Sequence, residues 1–408
     1  MSETFLPKVD GVVTRLLATL DALAALGHEV LILAPPKAPD AHGPSRVLAA
    51  PGVPFPWYPE LNVALPSQKG ARALEDFRPD VVHVVNPVFF GAWGALLARR
   101  IGSPDAESDA APPAAFSAPV VFALLMALTA LLLTFSVEFV YSLSLGWFRR
   151  PLEILDREVH NLAHVNLCTS PQMVDLARSL GIKRVRLWPK AVDAERFNPR
   201  HKSDESRARL TDSQPERPLV VYAGRVSFEK RVDVLVETAK LLAGRARLAV
   251  VGEGPALAWL KEQLAGTDTV FTGFLDGEDL SAAYATGDVF VFPSDSETLG
   301  FAAIEAMAAG VPVVAADAGG IPHIVQAERT GLLVPAGDAD ATARAILRLL
   351  EDPALRAGLA HNGRQEAERW SWMAATEALV DRYRQAIAVR SLSAARRARE
   401  RSVTAQVA

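Results

Sequence analysis

The chain is predicted to be an α/β protein with two halves, each a parallel sheet covered by helices on both faces. Two observations predict this. Short runs rich in Val and Ile alternate with longer Ala/Leu segments of helical period through most of the 408 residues. A charged stretch rich in proline and serine, ERFNPRHKSDESRARLTDSQPERP, then interrupts the alternation near the middle. Apolar strands separated by helices pack as a parallel sheet buried on both sides.

In chain order, the first half offers HEVLILAP (residues 28–35), DVVHVVNP (80–87) and HVNLCTS (164–170) as strands. The second offers PLVVYAGR (218–225), ARLAVVGEG (246–254), DVFVFPS (288–294) and VPVVAAD (311–317). Between them residues 196–217 read as a linker, polar and poor in large apolar groups. The expected organisation is therefore a first domain over 1–195, a second over 218–371, and a C-terminal helix and tail over 372–408. That helix is expected to pack back on the first domain, and the tail SAARRARERSVTAQVA reads as solvated.

Composition narrows the function classes. A formal charge of −4 is small, and a nucleic-acid binder would more often show a basic surplus. The single cysteine, Cys168, excludes an intramolecular disulfide and a cysteine-built zinc site, and it suits a reducing compartment such as the cytoplasm. The start MSETFLPKVDG is polar, with no basic region leading into an apolar core, so it is not read as a secretory signal.

Folds of this class bind ligands beyond the carboxyl ends of their strands. The candidate motifs of the second half fall there. PLVVYAG is followed by RVSFEKRVD, which brings Arg225 and Lys230 to the strand's end. AVVGEGP ends a strand with Gly252, Glu253 and Gly254, and FVFPSDSETLG carries Glu297 to the same rim. Glu305 lies inside the apolar run FAAIEAMAA, where a buried carboxylate needs partners. Each has a plain alternative: Glu297 as an acid favoured by a helix dipole, Arg225 and Lys230 as solvated cations. Taken together, two cations, two acids and a helix start on one rim suit a phosphate-bearing ligand.

GRVSFEKRVD, VGEGP, SDSETLGFAAIEAMAAGVPVVAADAGGIP and TGLLVPAGD together resemble the retaining GT-B glycosyltransferases of family 4. The spacing of Glu297 and Glu305 matches that family's E-x7-E signature. ETFLPKVDGVVTRL, RLWPKAVDAERFNPR and FTGFLDGEDLSAAYATGDVFVFPS extend the resemblance. They point to sulfoquinovosyl-diacylglycerol synthases and the related GDP-mannose-dependent α-mannosyltransferases. The resemblance implies two Rossmann-like domains with parallel sheets facing a central cleft. It also implies transfer of a sugar from a UDP or GDP donor to an acceptor, a lipid in this branch, with peripheral membrane contact and no metal or other cofactor.

Residue roles follow from the same resemblance. Arg225 and Lys230 would bind the donor diphosphate and stabilise the charge growing on it, and Glu297 would contact the transferred sugar. Glu305 would accept from the ribose hydroxyls. The backbone amides of Thr298, Leu299 and Gly300 would meet sugar or phosphate, and Glu253, Phe274 and Phe301 complete the donor set. Gly11, in the other domain, would approach the diphosphate. The Asp338–Asp340 pair reads as a helix cap rather than a metal site.

Two departures oppose an active enzyme and favour a non-catalytic sugar-nucleotide-binding relative. The family has a short strand before SETFLP, and here Met1 sits where that strand should end. After ALLARRIG the family has a brief strand and a His-Thr pair, whereas residues 103–148 run through a long apolar segment without histidine. Counting back from GWFRRP places Leu133 and Thr134 near the expected pair, and His83 reads as a strand core residue, not a substitute. The apolar segment is long enough to suggest a membrane span. A span would split one parallel sheet across the bilayer, so the segment reads as an interfacial helix near a lipid acceptor, or as foreign to the fold. In the latter case the first domain lacks an edge or central strand.

Overall fold

The computed structural model describes residues 1–7, 11–55, 58–85, 90–100, 120–124 and 149–407. The chain divides into two compact units, Met1–Pro189 with Met373–Ala408, and Lys190–Trp372. No helix among the described residues is long and apolar enough to cross a membrane.

The first unit holds β1 (Leu31–Ala34), β2 (Ala41–His42), β3 (Ser45–Ala49), a β4–β5 hairpin (Gly52–Phe55, Tyr58–Ala64), β6 (Val82–Val85), β7 (Val120–Leu124), β8 (Val165–Cys168) and β9 (Val185–Leu187). Strands β6-β7-β8-β9 form one parallel sheet, and β1-β3-β2 form a mixed one in which β1 and β3 run parallel and β2 and β3 antiparallel. Met1 and Ser2 lie between them. Ser2 donates its amide to Leu33 O at 3.0 Å, Val85 donates to Met1 O at 2.8 Å, and Ser2 bridges Val85 in parallel. These two residues hold the place that the resemblance assigns to an opening strand.

The reading of the 103–148 stretch needs correction in one respect. Its VVFAL run is β7, paired with β6 on one side and β8 on the other, so part of the stretch supplies a central strand. A β-branched and aromatic run of strand length was concealed inside a longer apolar segment. The rest of that segment, with Leu133 and Thr134, lies outside the described residues. Strand β7 ends at Leu124, and the next histidine in the sequence is His160.

His83 is a core residue of β6. Its ring packs 5.7 Å from those of Trp188 and Tyr383, and Nδ1 shares a 2.5 Å hydrogen bond with the Tyr383 hydroxyl. Burial, with the Met1 ammonium and Arg15 adding to it, pushes its pKa down to about 3, so the ring is neutral. Tyr383 belongs to the helix Trp372–Val407, whose Leu379 and Ala386 join Val85, Leu167 and Trp188 in one apolar cluster.

The second unit is a single six-stranded parallel sheet: β10 (Leu219–Ala223), β11 (Arg247–Val251), β12 (Thr269–Gly273), β13 (Val289–Phe292), β14 (Val313–Ala316) and β15 (Gly331–Val334). The spatial order is β12-β11-β10-β13-β14-β15. Strands β10, β11, β13 and β14 are buried at every residue because both faces are covered. The two-residue period divides them: Val221, Ala223, Phe290 and Phe292 enter one core, and Val220, Tyr222, Val289 and Val291 the other. The edge strands β12 and β15 were not foreseen. They are as long as the central strands, but β12 is only half-buried throughout, so it lacks the dense apolar run of a central strand.

The 196–217 stretch is no linker. Ser203 caps a helix over Asp204–Leu210 by accepting from Ser206 N at 3.2 Å, and Leu210 and Phe197 are buried in the second unit's core. Two apolar anchors in a polar stretch suffice to fix it, and the boundary between units falls at Pro189. Arg364 adds a clamp: its Nη1 donates to Ala194 O at 2.9 Å, to Phe197 O at 2.8 Å and to Ala308 O. Arg364→Ala leaves three carbonyls short of a donor, and urea unfolding should show a loss of about 1.5–3 kcal/mol. An unchanged midpoint would mean that water replaces the guanidinium fully.

Candidate functional site

Strand order reverses at β10, whose neighbours β11 and β13 lead away in opposite directions, and in open α/β sheets ligands bind at the carboxyl ends beside such a switch point. The predicted residues of the second unit hang from the loops that leave these strands. The β10 loop is pinned first. Tyr222 donates its hydroxyl to Arg225 O at 2.8 Å, and Val226 N donates to Glu253 O at 2.9 Å. The β10 and β11 loops then run backbone against backbone. A Cβ on Gly252 would lie 2.0 Å from Gly224 O, and one on Gly254 2.3 Å from Val226 O. The VGEGP glycines are thus required by close approach.

The same loop ends in a short turn of helix over Phe228–Lys230. Lys230 Nζ donates to Glu297 Oε1 at 2.5 Å, and both side chains are partly shielded from solvent. Glu297 stands on the loop between β13 and the helix Phe301–Ala308, which Gly300 opens at φ 69°. That loop is pressed from behind by the turn after β14. Gly320 N donates to Glu297 O at 2.6 Å, and a Cβ on Gly319 would sit 2.5 Å from the same oxygen.

Glu305 follows one turn into the helix. The Tyr284 hydroxyl donates to its Oε2 at 2.8 Å. Burial raises its carboxyl pKa above the ordinary 4.5, and the Tyr284 hydrogen bond and the charge of Arg196 oppose that rise. The buried acid has a partner, as its position in an apolar helix required.

The remaining predicted residues are spread around this centre. Arg225 and Glu253 are exposed on their loops, and Phe274 stands largely exposed directly after β12. Thr298 is half-buried, whereas the Leu299 side chain is core, so its amide is the part left to meet a ligand. Phe301 stacks on Trp372 with ring centroids 6.1 Å apart. Gly11 opens the helix Gly11–Ala25 in the other unit. Asp338 caps the helix Ala339–Glu351 by accepting from Ala341 N at 2.8 Å, as read from the sequence.

Sequence reasoning did not single out Tyr284, Gly319 or Gly320. A tyrosine in the small-residue helix LSAAYATGD was a signal, because a buried phenol needs a hydrogen-bond partner. The paired glycines gave a weaker one.

The two α/β units, the second with an open parallel sheet whose order reverses at β10, have the GT-B architecture. Family models agree: "Glycosyl transferases group 1" matches residues 217–352, and "Glycosyl transferase 4-like domain" matches residues 10–189. The chain is 34% identical to sulfoquinovosyl transferase SQD2 of Arabidopsis thaliana over 90% of its own length and 69% of that protein's. It is 34% identical to a GDP-mannose-dependent alpha-mannosyltransferase of Mycobacterium tuberculosis, over 83% of each chain. Sucrose-phosphate synthase of Thermosynechococcus elongatus superposes with a TM-score of 0.69 at 26% identity, covering 92% of this chain and 93% of that one. The chain belongs to the group 1, family 4 glycosyltransferases, enzymes that transfer a sugar from a nucleotide donor.

Proposed function

We propose that this enzyme transfers a hexose from a UDP- or GDP-sugar to a lipid acceptor, with retention at the anomeric carbon and without a metal ion. The observation that carries the proposal is the Lys230–Glu297 pair, which joins the loop after β10, where Arg225 also stands, to the loop before the Phe301 helix start. In this reading Lys230 and Arg225 take the diphosphate and stabilise the charge that develops as the sugar–phosphate bond breaks. With the ammonium taken up by phosphate, Glu297 turns to the hydroxyls of the transferred sugar. Glu305 accepts from the ribose.

The E-x7-E spacing supports retention, and the resemblance to sulfoquinovosyl-diacylglycerol synthases supports a glycolipid product made by a cytoplasmic protein in peripheral contact with its membrane. The relatives named sulfoquinovosyl transferase and GDP-mannose-dependent alpha-mannosyltransferase leave the donor base open between UDP and GDP. A second reading, a relative that binds the donor without turnover, is favoured by the absence of a histidine from the sequence between β7 and residue 149.

The test supplies the full chain with UDP-glucose, UDP-sulfoquinovose or GDP-mannose and diacylglycerol or phosphatidylinositol vesicles, with and without EDTA. An α-linked glycolipid, formed equally with chelator, is expected. Donor binding with no product from any acceptor selects the non-catalytic reading, and a β-linked product overturns retention. Arg225→Ala and Lys230→Ala should each weaken diphosphate binding by about 1.5–3 kcal/mol, with less effect on UMP or GMP. Calorimetry showing equal losses for mono- and diphosphate would place these side chains elsewhere.

A further inference from the structure

We infer that Arg231 is a positioning residue: it does not touch the donor, but ties the loop that carries Lys230 to the loop that carries Glu297. The inference rests on the donor site proposed above and adds a residue to it. Arg231 follows Lys230 directly, and as a third cation in the run RVSFEKR it would be the natural choice for another phosphate ligand.

Its geometry argues otherwise. The guanidinium is already spanned by two carboxylates. Nη1 donates to Asp295 Oδ2 at 2.6 Å, while Nε and Nη2 donate to Asp233 at 3.1–3.3 Å. Asp233 lies in the helix Val232–Leu241 that follows the β10 loop, and Asp295 lies two residues before Glu297. A third loop closes on the same group: at Gly337, after β15, an added Cβ would stand 3.1 Å from Nη2 and 3.3 Å from Nη1. A second tie runs beside the first, with Ser296 Oγ donating to Glu229 O at 3.0 Å. The two links flank the 2.5 Å contact between Lys230 and Glu297, and they fix the separation of cation and acid.

The backbone carries the same message. Arg231 adopts φ 54° and ψ 43°, a left-handed conformation that disfavours a residue with a Cβ. A glycine would adopt it freely, yet the position holds the one side chain whose planar fork can span two carboxylates. Lysine offers a single point charge and cannot reproduce the bridge.

Asp295→Ala separates positioning from ligation. If Arg231 bound phosphate, removing its carboxylate partner would free the cation and tighten the binding of UDP or GDP. If Arg231 positions Lys230, removing the partner loosens the tie and weakens binding. On the full chain, Asp295→Ala, Arg231→Lys and Arg231→Gly are each expected to weaken diphosphate binding roughly tenfold, with UMP and GMP affinities unchanged. The Arg231→Gly/Asp295→Ala double variant should lose no more than the worse single one, because both break one tie. Arg231→Gly suits the left-handed backbone, so its loss reports the fork and not the fold. Asp295→Ala that binds the diphosphate as tightly as wild type, or more tightly, overturns the inference. A wild-type chain that binds neither UDP nor GDP overturns the donor-site reading itself.

Discussion

Gly320→Ala should reduce turnover about a hundredfold, the loss expected when a reacting group is displaced by about 1 Å. The glycine's φ of −80° suits any residue, so backbone preference does not oppose the substitution. Space does. An added methyl would stand 2.2 Å from Thr298 O and 3.3 Å from Glu297 O, both backbone atoms of the acid loop. That loop cannot yield by a rotamer change; it must move as a whole and take Glu297 away from Lys230. Gly320 N also donates to Glu297 O, so the shift breaks that bond as well. Steady-state kinetics on the purified variant would check this. Wild-type turnover would mean that the loop is remodelled when the donor binds, and that the resting geometry does not set the reaction.

Glu305→Gln and Glu297→Gln should fail in opposite ways. Glu305→Gln is expected to weaken UDP or GDP binding by about 1.5–3 kcal/mol, because an amide is a poorer acceptor for ribose hydroxyls than a carboxylate. It should also make the ligand-free protein more stable at neutral pH. Burial raises the Glu305 pKa, so the folded chain holds this proton more tightly than the unfolded chain. Stability attributable to the group is therefore greatest below 4.5 and declines as pH rises from there through the folded value. Gln carries no such charge, and its gain in melting temperature should vanish as pH falls toward 4.5. Glu297→Gln, on the loop before the helix, should leave nucleotide binding close to wild type and lower turnover roughly a hundredfold. Reversed phenotypes would exchange the two roles.

Neighbouring features of the site set limits on how such results combine. Lys230 and Glu297 are in contact, so their substitutions will not add. Tyr284 and Glu305 form a second coupled pair, and Tyr284→Phe should reproduce part of the Glu305→Gln binding loss.

Taken by itself, the sequence determined the four central strands of the second unit, because strands covered on two faces need continuous apolar runs and VVYA, AVV, VFVF and VVAA supply them; in the first unit it placed β1, β6 and β8. It also determined the E-x7-E pair, the two cations and the rim on which they stand, since loops after parallel strands share one edge. Only the tertiary structure decided the rest. The strand Val120–Leu124 was hidden in a longer apolar stretch that has no period of its own, and it became a strand by pairing with β6 and β8. The Asp204–Leu210 helix was read as linker because two apolar residues carry it, and their burial depends on the core they enter. Glu305's partner is a tyrosine 21 residues away, Lys230's is an acid 67 residues away, and Gly320 matters through a carbonyl it nearly touches. Local preference and spacing can place a residue on an element. Which distant atom it meets is fixed by packing, where the strand order 12-11-10-13 brings the β10 and β13 loops side by side.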